Sequence, residues 1–510
     1  MKNKNVIIKG TFLLTLTSII TKIIGFYYRI FLNNTIGAEG MGIYQLIFPV
    51  FITCFSFCCV GIQTSLSRMV ATSHNNPENA VKILCTALFI SCFLASIMMI
   101  LCNIKAEFIA TDILKDSRCI RLVEILSYSF IPASIHSCIN GFYYGLKKTA
   151  VPSLSQLFEQ IIRVAGVYFI FKIIAQNNIE VSKLEKISVV VWGLFIGEAA
   201  SALMSVTAFF VAHLKIKKNN NEKKVWKMSK IFNNLLKQAI PLTLNRLSTN
   251  FLQSIEAVIF PLALCRGGAT KEDALVMFGI FTGMALPLIA FPSALTNSLS
   301  VLLVSDVAES DGNNNERQLA KTIQYTSGFT LFLGIFCFGF FFENGYEAGI
   351  FLFNSETAGE YITLLSFICP FFYLTSTLGS ILHGLGKTTE FFVFNIGTII
   401  LRLVILWFGI PYFGIKGYVF GLMLSQIILT VLILMCLYKK ASFNFNLIKW
   451  LALPVKCSVS SYILIILYGI IINNLNVNSP NVEFASRSLL YCIPFIITSA
   501  KLTKNKKLLQ

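Results

Sequence analysis

Apolar runs of about 20 residues recur from one end of this chain to the other, each long enough to cross a hydrocarbon core of about 30 Å as a helix. Fourteen such spans are predicted, at roughly 7–32, 41–71, 80–102, 120–146, 152–175, 187–213, 231–264, 274–305, 319–341, 360–384, 389–409, 414–438, 450–472 and 484–500. Charged residues make up only 13% of the 510 positions, against roughly 25% in soluble domains. The expected fold is therefore an all-α polytopic membrane protein. No linking segment is long enough to hold a soluble catalytic domain.

The net charge of +18 could suggest a nucleic-acid partner, but the cations cluster in short segments between the apolar runs. Lys2, Lys4 and Lys9, the seven lysines of 215–230, Lys147–Lys148, Lys439–Lys440 and the terminal "KLTKNKK" all fall on one side of the predicted path. That asymmetry places both termini in the cytoplasm and the protein in the cell membrane. Most of the fourteen cysteines, such as Cys54, Cys92, Cys138 and Cys436, lie inside apolar runs with no C-x-x-C pair. They read as small buried apolar residues.

An internal repeat organises the chain. "YGLKKTAVPSLSQLFEQIIRV" (144–164) matches "HGLGKTTEFFVFNIGTIILRL" (383–403), aligning Gly145 with Gly384, Lys148 with Lys387 and Arg163 with Arg402. "GLFIG" (193–197) likewise matches "GYVFG" (417–421). Spans 1–6 thus repeat as spans 7–12, two pseudo-symmetric six-helix lobes of the kind that support alternating access. The expected divisions are an N-terminal lobe at 1–215, a basic cytoplasmic linker at 216–230 and a C-terminal lobe at 231–440. Two extra helices and a basic tail follow at 441–510. Small-x-x-x-small spacings at Gly141/Gly145, Gly193/Gly197, Gly279/Gly283 and Gly417/Gly421 predict close helix packing.

A charge in mid-membrane is costly and marks function unless it is neutralised. In "TLTSIITKIIGFYYRIFLNN" (15–34), Lys22 and Arg29 lie two helical turns apart and share a face with Ser18 and Gly25. Arg246, Asn250, Gln253 and either Glu256 or Ala257 form the counterpart stripe on span 7. These polar faces predict a cationic cavity that takes an anion, phosphate or pyrophosphate above all. Arg68 ends span 2, as a cavity-mouth residue or a lipid-phosphate anchor. Arg163 has Glu159 one turn earlier and reads as a structural ion pair. Arg402 lacks that acid, and both a structural and a functional role stay open for it. Glu198 is a lone acid on span 6, either a proton or sodium site or the partner of a nearby cation. His74, His136, His213 and His383 show no metal-ligand spacing. No phosphate loop or nucleophile elbow is present. Neither an enzyme nor a bound cofactor is expected.

"TKIIGFYYRIFLNNTIGAEGMGIYQLIFPVF" (21–51), followed by "GIQTSLSRMVA" (61–71), resembles the stage V sporulation protein B and polysaccharide-exporter family. That family belongs to the multidrug/oligosaccharidyl-lipid/polysaccharide flippase superfamily. The resemblance implies export of a polyprenyl-pyrophosphate-linked sugar, a peptidoglycan precursor used in cell-wall or spore-cortex synthesis. Membrane lipids and cell-wall synthases are the implied partners, with no nucleic acid. The lipid II flippase of the same superfamily carries arginines before and after a Gly-Phe pair on its first span. Here that pair is Gly25–Phe26; Lys22 stands at the earlier arginine and Tyr28 at the later one, with Arg29 next to it. By the same similarity, spans 13 and 14 would form a groove for the lipid tail. Two rival readings are a multidrug cation exporter of the superfamily and a non-transporting scaffold for envelope synthesis.

Overall fold

The computed structural model describes residues 2–72, 77–213, 227–296, 303, 307, 316–440, 447–475 and 480–504. Helices make up the fold, and no strand occurs among the described residues. Among the described residues, ten helices are long and apolar enough to cross a membrane, or eleven when Cys119–Ser127 and Phe130–Gly145, bent by 41°, count as one span. This is fewer than the fourteen spans predicted. One reason is that Leu16–Thr72 counts once here, although the chain breaks within it at Gly37, between predicted spans 1 and 2. Another is that the last helix has only a short apolar part, Phe484–Thr498. Most of the expected linker at 216–230, the end of predicted span 8 and the last residues of the tail lie outside the described residues.

The chain divides into two compact units, Met1–Leu262 with Thr270–Gly279 and Ala263–Ala269 with Ile280–Gln510. The first unit contains α1 (Lys2–Phe55), α2 (Gly61–Thr72), α3 (Pro77–Ile104), α4 (Ala106–Phe108), α5 (Cys119–Ser127), α6 (Phe130–Gly145), α7 (Ala150–Gln176) and α8 (Lys183–His213). It also takes most of α9 (Met228–Arg266) and all of α10 (Lys271–Gly279). α1 breaks at Gly37, whose φ of 72° is open to glycine at little steric cost. A wide π turn, Ser56–Val60, then joins α1 to α2. Widened turns free backbone carbonyls, and here the Cys58 carbonyl accepts a hydrogen bond from Ser91 Oγ at 2.7 Å.

Leu66, Val70, Ile83, Ala87 and Ile139 form a buried cluster that also takes in Ile231 and Leu235. Lipid offers no hydrophobic drive between helices, so small residues must let backbones approach. The Gly141/Gly145 spacing does this. A Cβ on Gly141 would come 2.8 Å from the Gln63 carbonyl oxygen, and one on Gly145 2.7 Å from that of Ser67. α6 therefore lies directly on α2.

The second unit contains α11 (Leu286–Ala290), α12 (Glu316–Phe353), α13 (Glu356–Leu365), α14 (Cys369–Gly384), α15 (Thr388–Phe413) and α16 (Ile415–Tyr438). α17 (Leu447–Leu475) and α18 (Pro480–Lys504) follow. Ile323, Leu374, Leu378, Ile381 and Ile433 build its core. α17 and α18 attach through a second cluster, where Cys457, Ile465, Tyr491 and Phe495 meet Phe332, Phe336 and Phe340 of α12.

Candidate functional site

The polar residues of the first unit form two groups. The first follows α1. Ser18 is exposed, and Lys22, Gly25 and Arg29 are half-buried. At Gly25 a Cβ would stand 3.3 Å from Gln160 Nε2, so α7 abuts the helix between its two cations. Arg29 lies within electrostatic reach of Tyr44, further along α1.

On α9, Asn250 donates to Ser56 Oγ at 2.6 Å, and Ser254 Oγ lies 3.0 Å from Thr53 Oγ1. Arg246 and Gln253 remain exposed, and Glu256 is buried. Of the predicted stripe, the structure thus ties Asn250 to the π turn and leaves Arg246 and Gln253 accessible. Arg68 is exposed near the end of α2, and Arg402 is half-buried on α15 in the second unit.

The second group is a buried cluster of ionisable residues drawn from α6, α7 and α8. Arg163 Nη2 pairs with Glu159 Oε1 on the same helix, as their i, i+4 spacing predicts. His136 Nδ1 stands 3.0 Å from Glu198 Oε2. His136, Glu159 and Glu198 each offer one ligand atom, all within 4.8 Å of one another. Gly197 makes room for the guanidinium, since its Cβ would lie 3.1 Å from Arg163 Nε. Gly193, one turn earlier, would place its Cβ 3.6 Å from Tyr28 Oη. The Gly193/Gly197 spacing serves this cluster as well as helix packing.

The grouping corrects one expectation. Spacing along the chain gives His136 no acidic neighbour, yet the fold supplies two, from two other helices. Glu198 is not alone. The available signal was the internal pairing of Glu159 with Arg163 on a span adjacent to Glu198, and nothing in the sequence pointed to His136.

A third set of charges lies at the loop 105–118. Arg118 Nη1 donates to Glu39 Oε1 at 2.6 Å and Nη2 to Asp116 Oδ2 at 2.8 Å. Lys183 Nζ reaches Glu39 Oε2 at 2.6 Å, and Lys271 Nζ approaches Asp116 Oδ2 at 3.8 Å. Burial pushes the Asp116 carboxyl up, but the hydrogen bonds and charge of Arg118, helped by Lys271, outweigh it and hold the group below its ordinary value. These contacts brace α1, just past its Gly37 break, and the starts of α8 and α10 against one segment.

Residues 7–303 match the family model described as polysaccharide biosynthesis protein. That match covers more than half of the sequence. This chain belongs to the polysaccharide biosynthesis protein family. Among curated relatives, stage V sporulation protein B of Bacillus subtilis (strain 168) is 23% identical over 438 residues, covering 84% of this chain and 83% of that protein. Lipid II flippase MurJ of the same organism is 22% identical over 347 residues, covering 64% and 62%.

Among solved structures, lipid II flippase MurJ in an inward closed conformation matches with a TM-score of 0.72 at 15% identity, covering 97% of this chain and 99% of that one. An inward-facing multidrug resistance MATE family transporter of the MOP superfamily matches with a TM-score of 0.63 at 14% identity, covering 83% and 96%. These likenesses show the all-α, multi-pass membrane fold described above.

Proposed function

We propose that this protein moves a lipid-linked sugar across the cell membrane by alternating access, with a phosphate or pyrophosphate head group as the element recognised. The observation that carries this reading is the pair of half-buried cations, Lys22 and Arg29, on α1 of a polysaccharide biosynthesis family member. Cations kept within an apolar span need an anion or water to face, and guanidinium and ammonium groups match phosphate oxygens well. Relatives named for lipid II flipping and for sporulation support a peptidoglycan precursor as the cargo. Arg246, Asn250, Gln253 and Arg68 complete the proposed cargo contacts. Glu256 and Arg402 are assigned to ion pairing or ion coupling. The two six-helix lobes, 1–215 and 231–440, would do the alternating, with both termini cytoplasmic and residues 441–510 serving the lipid tail. Cell-wall synthases are the expected neighbours on the membrane, and the protein itself catalyses no covalent step.

A multidrug exporter is the competing reading, favoured by the fold match to a multidrug resistance MATE transporter. Binding separates the two. Purified protein in nanodiscs is titrated with a short-chain polyprenyl-pyrophosphate saccharide and, separately, with ethidium. Saturable binding of the pyrophosphate lipid, weakened in Lys22→Gln, supports the flippase. Binding of ethidium alone supports the exporter.

A further inference from the structure

We infer that Gln160 of α7 is a further cargo contact, a donor to the middle of an anionic head group stretched between Lys22 and Arg29. In that place it sets a preference for a diphosphate over a single phosphate. Gln160 has this role only if the cargo reading above holds.

Lys22, Gly25 and Arg29 lie on one face of α1. Seven residues separate the two cations, about 10 Å along the helix. A diphosphate lying along that face engages one cation at each end, and its middle passes Gly25. Glycine removes the side chain at that point, and α7 takes up the space. Gln160 Nε2 lies 3.3 Å from the position a Gly25 Cβ would occupy. The amide therefore reaches α1 between its two cations, and a second helix supplies it.

Gln160 is 9% exposed, and among the described residues nothing is hydrogen-bonded to its amide. That group offers two N–H donors and an acceptor oxygen at one end of the side chain. Glu159, the residue before it on α7, is already held by Arg163. One turn before Gly25, Thr21 Oγ1 is also buried without a hydrogen-bond partner. A buried polar group left unpaired is costly. Two of them, one on each helix, mark the α1–α7 seam as shaped for a polar occupant.

An oxyanion suits the place. Its oxygens accept a charge-assisted bond from an amide N–H, while Lys22 and Arg29 supply the balancing charge. A single phosphate held by one cation stops short of Gln160. A diphosphate held by both meets it.

The test compares two lipids. Purified full-length protein in nanodiscs is titrated with a short-chain polyprenyl diphosphate and with the monophosphate of the same chain. Wild type is expected to bind the diphosphate more tightly. Gln160→Leu should weaken diphosphate binding about tenfold, as expected on losing a hydrogen bond to a charged group, with monophosphate binding unchanged. Gln160→Asn, one methylene shorter, should lose less. Gly25→Ala keeps the amide but crowds it with a methyl group, and should lower the preference as well. Each variant is used only if it elutes as the wild type does, and any one of the three suffices. Unchanged diphosphate affinity in these variants, with Lys22→Gln still impaired, overturns the role of Gln160 and leaves the cargo reading standing. Equal binding of both lipids by wild type overturns the preference. So does an equal loss for both in Gln160→Leu, which would mark a change in how α1 and α7 pack. Wild-type protein that binds neither lipid overturns the cargo reading, and the role of Gln160 with it.

Discussion

Arg118 holds Glu39 at 2.6 Å and wraps Asp116 with its other nitrogens. Asp116 is 2% exposed, so its carboxylate depends on that guanidinium. Arg118→Gln leaves the acid with the backbone N–H of residue 118 at 3.0 Å and Lys271 at 3.8 Å, and no guanidinium. Removing one partner of a buried pair is strongly destabilising. The guanidinium is a third exposed, which discounts the effect for solvent screening to about 1–3 kcal/mol. A fall in the thermal midpoint in detergent, read by thiol-reactive dye entering at the buried cysteines, checks this. Arg118→Lys should recover part of the loss, since one point donor replaces a fork.

The same loop fixes an acid dependence. Asp116 has a folded-state value held below its ordinary one. Its contribution to stability is therefore fully present above the unfolded value of about 4 and fades as pH falls through the lower, folded value. Thermal midpoints measured from pH 8 to pH 3 should show a decline at the acid end that is smaller in Asp116→Asn. An equal decline in the variant would remove Asp116 from the account.

Glu159 and Arg163 neutralise each other within α7, where each side chain is 15% exposed. Glu159→Gln should cost less than the roughly 3–5 kcal/mol of a fully stranded buried cation, because Glu198 still acts on Arg163. The double change Glu159→Leu with Arg163→Met should cost more than the single one, since it also takes away the cation that acts on the buried Glu198. Expression level and thermal midpoint of the two variants provide the comparison. A double variant milder than the single one would mean that Arg163 answers to Glu159 alone.

Lys22 and Arg29 should be sensitive to charge more than to shape. A charge-assisted hydrogen bond contributes roughly 1.5–3 kcal/mol, so Lys22→Gln should weaken binding of a pyrophosphate lipid roughly ten- to a hundredfold. Lys22→Arg should keep most of the affinity, and Arg29→Lys should fall between. Were these cations merely snorkelling to lipid head groups, the glutamine variant would bind like the wild type. Isothermal titration on nanodisc samples of matched membrane insertion resolves the two cases.

Much of the fold was legible because a membrane span has a length and an apolarity that a sequence displays directly. The span from Pro77 to Ile104 and that from Ile415 to Tyr438 needed no more than that. The Gly141/Gly145 contact with α2 was legible as a spacing, though not as a partner. The division between the first two spans was legible, since the Gly37 break falls between them, but the π turn that carries the second span on into α2 was not. The attachment of α17 and α18 was hidden too. Their aromatic contacts with Phe336 and Phe340 follow from tertiary packing, and the repeat says nothing about them. The Arg163–Glu159 pair was visible because both residues lie one turn apart on one helix. His136 was invisible, because its acidic neighbours come from helices far along the chain, and only folding brings their atoms within hydrogen-bonding range.

The central claim is movement of an anionic lipid-linked sugar. Its most direct test is a reconstituted flipping assay in vesicles containing a fluorescent polyprenyl-pyrophosphate saccharide, a polyprenyl-linked sugar lacking phosphate, or no cargo lipid. The account predicts that wild-type protein speeds exchange of the pyrophosphate lipid between leaflets well above protein-free vesicles, that the phosphate-free lipid is not moved, and that Lys22→Gln loses most of the activity. Exchange no faster than in protein-free vesicles, or equal exchange of both lipids, would contradict it.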